Sequence, residues 1–168
     1  MQRIRSGVDQ VLKWLVIVLM GVMVLNVLWQ VFTRFVLRDP SSYTEELARY
    51  LLVWVGLIGA AYAASQKMHL AIDILTARLH GKSRHYVELF IYLCTFLFAL
   101  LIMVIGGMRL VNLTLTLNQI SAALQIKLGY VYLALPLSGL LIMFYAAYFF
   151  AEQLRLLLDD KAIPDSSR

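Results

Sequence analysis

The stretch Trp14-Leu15-Val16-Ile17-Val18-Leu19-Met20-Gly21-Val22-Met23-Val24-Leu25-Asn26-Val27-Leu28-Trp29-Gln30-Val31-Phe32-Thr33 contains no Asp, Glu, Lys, Arg or His. As a helix it rises about 30 Å, the thickness of a bilayer's hydrocarbon core. Arg3, Arg5 and Lys13 precede it, as in the leader of a secreted protein. The apolar run is too long for a leader, however, and Arg34, Phe35 and Arg38 follow it where a cleaved leader has small residues. It therefore predicts an uncleaved first membrane span over residues 14–34.

Composition extends that reading to the whole chain. Of 168 residues, 61% are hydrophobic and 15% charged, whereas a soluble domain is nearer half apolar. Further apolar stretches predict spans over 46–64, 87–107 and 128–150. The connections are too short to hide a soluble domain, so residues 1–168 are expected to form a single membrane domain. The fold class predicted is an all-α membrane protein with four transmembrane helices and short amphipathic interfacial helices. Cys94, the lone cysteine, lies inside an apolar stretch and excludes an intrachain disulfide.

Polar residues within this apolar background carry the detail. Asn26, Gln30, Thr33 and Arg34 are spaced to form one stripe on the first helix. Lipid offers them no hydrogen-bond partner, so the stripe is expected to face another helix as interhelical glue. Arg38-Asp39-Pro40-Ser41-Ser42 breaks the helix. The second span opens with Glu45, Glu46 and Arg49 and runs through Trp54 into Gly59, Ala60, Ala61 and Ala64, a small-residue end expected to pack closely on a neighbour.

Met68, Ile72, Leu75 and Leu79 recur at helical spacing opposite His69, Asp73, Thr76 and His80, predicting an interfacial helix over 67–80. Leu113 to Asn118 alternates like a strand. Helical spacing fits a longer window, with Arg109, Asn112, Thr116 and Gln119 opposite Leu110, Leu113, Leu117 and Ile120. An open strand would also leave backbone groups unpaired, so an amphipathic arm over 108–122 is expected. Pro136 predicts a kink in the fourth span. Tyr130 and Tyr132 at one end and Tyr145 and Tyr148 at the other suit the interfaces, and residues 151–161 predict a last amphipathic segment.

Four spans place both termini and the middle loop on one side. That side holds ten basic residues, Arg3, Arg5, Lys13, Lys67, Arg78, Lys82, Arg84, Arg155, Lys161 and Arg168; the other holds five, Arg34, Arg38, Arg49, Arg109 and Lys127. The asymmetry predicts both termini in the cytoplasm. The net charge of +5 is accounted for by anionic headgroups and calls for no nucleic acid.

Little in the chain suits catalysis. His69, His80 and His85 all lie in the middle loop, which excludes a haem held between transmembrane histidines. Nothing resembles a nucleophile with its base or a phosphate loop. His69 and Asp73 share a helical face but are too few for a metal site. The expectation is no enzyme, no cofactor and no metal. Glu88, at the start of the third span, is expected at headgroup level.

Glu45 and Arg49 are one turn apart in the favoured order for a helical ion pair, while Glu46 has no obvious partner in the chain. The cluster reads either as an anchor for the helix end or as a contact with another protein.

The run Tyr43-Thr44-Glu45-Glu46-Leu47-Ala48-Arg49-Tyr50-Leu51-Leu52-Val53-Trp54, then Gly59-Ala60-Ala61 and Lys67-Met68-His69-Leu70-Ala71-Ile72-Asp73, resembles the small membrane subunit of tripartite ATP-independent periplasmic (TRAP) transporters. Ser121-Ala122-Ala123-Leu124-Gln125-Ile126, Gly129-Tyr130-Val131-Tyr132 and Leu135-Pro136 resemble that family's last loop and final span. The likeness covers nearly the whole chain. Tyr43 departs from a frequent tryptophan, and Gln125-Ile126-Lys127 lacks the glycine and proline often found there.

The resemblance implies a bacterial inner-membrane complex in which a large membrane subunit moves an organic anion with sodium, fed by a periplasmic substrate-binding protein. The small subunit would act as a scaffold, in contact with membrane lipids. It carries over Glu45, Glu46, Arg49, Trp54, Lys67, His69 and Asp73 as subunit-interface, lipid-contact or helix-packing residues. It also points to acidic sugars such as sialic acid, with C4-dicarboxylates open. The rival from another class is a self-sufficient four-helix transporter or channel acting as a homo-oligomer, with Glu45 or Glu46 coupling the ion; their position at a helix end tells against it.

Overall fold

The structure, a computed structural model, describes residues 2–38, 41–66 and 82–162. The amphipathic segment expected over 67–80, with Lys67, His69 and Asp73, lies outside the described residues. Helix α1 (Gln2–Phe32) continues as a π-helical segment (Thr33–Leu37) and stops at Arg38, which adopts the left-handed conformation with φ 55° and donates its backbone N–H to the Thr33 carbonyl. Helix α2 spans Ser42–Ser65. Helix α3 (Lys82–Phe98) runs through a π-helical segment (Ala99–Gly106) into α4 (Gly107–Thr116), and α5 (Leu128–Tyr132) is followed by α6 (Ala134–Ala162). Among the described residues four stretches are long and apolar enough to cross a membrane: Arg5–Leu37, Ser42–Ser65, Tyr86–Thr116 and Leu128–Arg155.

The helices stand in a row. Helix α1 packs on α2, α2 on α6, and α6 on α3 and its π-helical continuation; among the described residues α1 makes no backbone approach to α3. Between Leu12 and Thr33 the shielded residues of α1 are Leu12, Val16, Leu19, Met23, Asn26, Gln30 and Thr33, at alternating steps of four and three. That spacing keeps one seam against a partner helix in a left-handed pair. The matching row on α2 is Thr44, Ala48, Leu51, Val55, Ile58, Tyr62 and Ser65, all half-buried or buried.

The row folds together most tightly where both termini meet. Leu12, Ile58, Tyr145 and Phe149 form a buried cluster there, flanked by Trp54, Tyr62, Tyr92 and Tyr148. Tyr145 is 1% exposed, so it is enclosed by the protein's own helices. Glu88 is also buried, accepting a hydrogen bond from Gln153 of α6.

Tyr86–Thr116 is 31 residues long, about 46 Å as a helix against a core of about 30 Å. It is longer than a perpendicular crossing requires, and it ends at Thr116 and not at 122. Residues 117–127 then double back through Asn118, with φ 46°. A single antiparallel bridge joins Ile120 to Lys127, with Ser121 N–H on the Ile126 carbonyl at 2.9 Å.

The fourth span breaks at Leu133, between α5 and α6. Proline has no N–H for the carbonyl four residues earlier and its ring crowds that carbonyl, so Pro136 acts on Tyr132, one residue before the break. The disturbance falls near the start of the span. Beyond it, α6 carries on through the segment expected over 151–161. At Gly139 an added Cβ would lie 2.6 Å from the Met103 Cβ, so this glycine sets how closely α6 approaches the third span.

Candidate functional site

The charged end of α2 separates into two faces. Glu45 and Arg49 are exposed and joined through Arg49 Nη2 and Glu45 Oε1 at 3.4 Å. They continue along α2 as Leu52, Gly56 and Ala60, all exposed. Nothing lies within 4 Å of where a Cβ would stand on Gly56 or Gly59, whereas Ala61 and Ala64 are buried. The small residues thus serve two faces: one is packed, and the other is open.

Glu46 turns the other way, toward the loop before α5. Its Oε2 accepts the backbone N–H groups of Ala123 at 2.8 Å and Leu124 at 2.9 Å, and its Oε1 accepts the Tyr50 hydroxyl at 2.7 Å. The expectation that Glu46 lacks a partner is corrected. The turn over 121–124 points two backbone donors at one place, and a carboxylate four residues past the start of α2 reaches them. Ser121 is buried and its Oγ also accepts from Leu124 N–H at 3.2 Å, while Gln125 takes the left-handed conformation with φ 56°. Charge-assisted bonds of this kind are stronger than neutral ones. Glu46 thus fixes the loop before α5, a role within the chain.

The polar residues of α1 have separate roles. Asn26 Nδ2 donates to the Thr44 carbonyl of α2 at 2.8 Å, and Thr33 Oγ1 donates back to the Gln30 carbonyl at 3.0 Å. Gln30 and Arg34 line a recess with Ser41, Ser42 and Glu45. Trp54 packs against the buried cluster within the chain.

A second polar group lies at the opposite end and was not singled out from the sequence. Tyr145 donates its hydroxyl to Asp9 Oδ1 at 2.5 Å, and Arg5 Nε sits 3.7 Å from Asp9 Oδ2. Arg5 Nη2 donates to the Ser65 carbonyl at the end of α2, and the guanidinium covers the Tyr148 and Phe149 rings at 5.4 Å and 4.9 Å. Arg5 and Asp9 one turn apart, ahead of an apolar run, are the signal in the sequence for this group. No cluster of three or more metal-ligating residues occurs among the described residues.

Residues 23–156, which include both groups of loop and helix contacts around Glu46, match the family described as tripartite ATP-independent periplasmic transporters, DctQ component. The chain belongs to this DctQ family. Its members are transporter subunits and not enzymes. The sialic acid TRAP transporter small permease protein SiaQ of Vibrio cholerae is 31% identical over 84 residues, covering 50% of this chain and 49% of that protein. A putative TRAP transporter small permease protein of Haemophilus influenzae is 26% identical over 163 residues, covering 97% of this chain and 93% of its own length.

The sialic acid TRAP transporter permease protein SiaT of Haemophilus influenzae is 32% identical over 123 residues, 68% of this chain but 18% of SiaT. A DctQ-like sequence therefore also occurs as a minor part of a longer permease. This chain spans about half of SiaQ and under a fifth of SiaT in these matches. The Glu46 clamp falls inside the family match, whereas Arg5 and Asp9 precede it.

Proposed function

We propose that this chain is the non-catalytic small membrane subunit of a sodium-coupled TRAP transporter, scaffolding a large transport subunit in the bacterial inner membrane with both termini cytoplasmic. The transported substrate is an organic anion, an acidic sugar such as sialic acid or a C4-dicarboxylate, delivered by a periplasmic binding protein. The observation that carries this reading is the emptiness of the spans. No Asp, Glu, Lys, Arg or His occurs in 14–33, 50–66, 89–108 or 128–151. A self-sufficient coupled carrier ordinarily places ionisable groups near the midplane.

The SiaT match supports a large partner, since there the DctQ-like part is joined to a much longer permease sequence. Glu45 and Arg49, with Leu52, Gly56 and Ala60 in line, form the face assigned to that partner. An exposed pair contributes little stability, so its use is in register and specificity. Lys67, His69 and Asp73 are assigned to interface or lipid contact by the family likeness. Glu46 and Trp54 hold the chain's own helices.

Reconstitution into liposomes tests the proposal. The chain alone is expected to show no sodium-driven uptake of sialic acid or succinate, and uptake should require co-reconstitution with a large TRAP permease and its binding protein. Robust uptake by the chain alone would overturn the subunit reading.

A further inference from the structure

At the end of the bundle away from the termini, α4 has three distinct faces. Gly107, Val111 and Thr114 are buried on the side of the fourth span. Arg109, Asn112 and Thr116 are exposed, and so are Leu110, Leu113 and Leu117. At about 3.6 residues per turn the polar row lies roughly opposite the buried row, and the leucine row lies about a quarter turn to one side.

Two ties show how this helix leans. Near the termini, Ile58 of α2 and Phe149 of α6 share the buried cluster, and Tyr92 of α3 packs on it. At the other end Glu46 of α2 accepts the N–H groups of Ala123 and Leu124, in the connection between the third and fourth spans. From Ile58 to Glu46, α2 supplies 12 residues, about 18 Å of helix. The third span supplies 24 residues from Tyr92 to Thr116, and the fourth 21 from Leu128 to Phe149, each about 30 Å or more. Standing parallel to α2, the longer pair would carry the turn past Glu46. It meets Glu46 because the pair inclines across the end of α2. The third span ends the row of helices, so this inclination turns the face opposite the bundle, with Arg109, Asn112 and Thr116, toward water. The leucine row, a quarter turn aside, stays level with the bilayer.

We infer that α4 carries a lipid-binding face, with Leu110, Leu113 and Leu117 set into the boundary between acyl chains and headgroups in the leaflet on that side. A polar face beside an apolar one is how a helix lies at such a boundary. Pattern alone leaves open which side meets lipid, and the inclination decides it. The leucines also continue the exposed apolar surface of the same span, which includes Ile102 and Ile105. Arg109 extends its charge to the headgroups along an apolar stem. Anchored in this way, α4 keeps the turn clamped by Glu46 at the membrane surface. The inference rests on the helices crossing a bilayer and is independent of the partner and the transported substrate.

Spin labels on single cysteines test it, with Leu113→Cys, Leu117→Cys, Asn112→Cys and Thr116→Cys each made together with Cys94→Ser in the full chain. In lipid nanodiscs, access of oxygen, which concentrates in lipid, is compared with access of a water-soluble nickel chelate. Val18→Cys, on the exposed apolar side of α1, reports the bilayer interior, and circular dichroism melting shows that every variant is folded. Leu113→Cys and Leu117→Cys are expected to favour oxygen, as Val18→Cys does, and Asn112→Cys and Thr116→Cys to favour nickel. Adding a large TRAP permease should leave this pattern unchanged.

Nickel preference at all four sites would mean that α4 stands in water, and oxygen preference at all four that it is sunk in hydrocarbon; either overturns the inference. Loss of access for both reagents at the leucine positions, in the chain alone or only with the permease, would give this face to a protein and overturn it equally. Oxygen preference at Val18→Cys in any of these cases would show the spans still in the bilayer, so that the failure belongs to the α4 face and not to the membrane fold.

Discussion

Helix α1 and helix α6 are both long and apolar, yet in the most apolar part of Arg5–Leu37 only 6% of the residues are buried, against 39% in that of Leu128–Arg155. Helix α6 lies between α2 and the third span and is fitted to both, with Gly139 against Met103 and Ala134 and Ser138 fully enclosed. Helix α1 touches the row through one seam and is held by polar contacts near its ends: Arg5 and Asp9 at one, Asn26 at the other. One helix is thus part of a packed core, and the other is retained at points while most of its surface stays open to lipid or to a partner. In water such openness would be destabilising. In a bilayer lipid covers it, because association between apolar helices there depends on packing and hydrogen bonds.

The largest break in this contrast should come at Gly139. In Gly139→Val the Cβ begins 2.6 Å from the Met103 Cβ and 3.2 Å from the Met103 carbonyl carbon, so α6 and the third span must move apart. Overpacking of this kind costs about 1–3 kcal/mol, occasionally more. The variant should show a lower Tm in detergent than any substitution on the outward face of α1. An unchanged Tm would mean that α6 is not close-packed against the third span.

Tyr145→Phe comes next, since it keeps the ring and removes the hydroxyl that reaches Asp9. A hydrogen bond to a charged group is worth about 1.5–3 kcal/mol. The loss should fall mainly on the attachment of α1. Hydrogen exchange at the start of α1 should quicken while α6 stays protected, and equal loosening of the two helices would contradict point attachment.

Much of this arrangement could be read from the residues alone. Span number and approximate position follow from apolar length, because about 20 residues are needed whatever the sequence. Asn26, Gln30 and Thr33 are on the α2 seam because four- and three-residue spacing places them there.

The role of Glu46 was not legible, since its partners are backbone N–H groups 77 and 78 residues away and no side-chain pattern announces them. The enclosure of Tyr145 was illegible for a related reason. Tyrosine suits an interface, and only the fold shows that Asp9 brings a hydroxyl acceptor into the buried cluster. The end of α4 at Thr116 was obscured because the amphipathic pattern continues past the point where Asn118 turns the chain back.

Glu46→Gln should have a smaller and more local effect. The amide can still accept a bond, but it loses the charge shared among two backbone donors and Tyr50. Amide exchange at Ala123 and Leu124 should rise about tenfold, as expected when a local opening becomes easier, with little change at Gly139. No rise would show that Ser121 and the short bridge hold the turn unaided.

The smallest effect on the isolated chain belongs to Gly56→Ala, where nothing approaches the new methyl within 4 Å. Alanine is about 1 kcal/mol better than glycine in a helix interior, so the variant should be as stable as the parent or slightly more so. Its value lies in what happens when a large permease subunit is present. If the Glu45, Arg49, Leu52, Gly56 and Ala60 face meets that subunit, a larger residue at 56 interferes with the close approach of two backbones. Gly56→Leu should then copurify less of the partner than Gly56→Ala does, though both fold alone. Should Gly56→Leu recover the partner as well as the parent does, this face of α2 belongs to lipid, and the outward surface of α1 becomes the place to seek the partner.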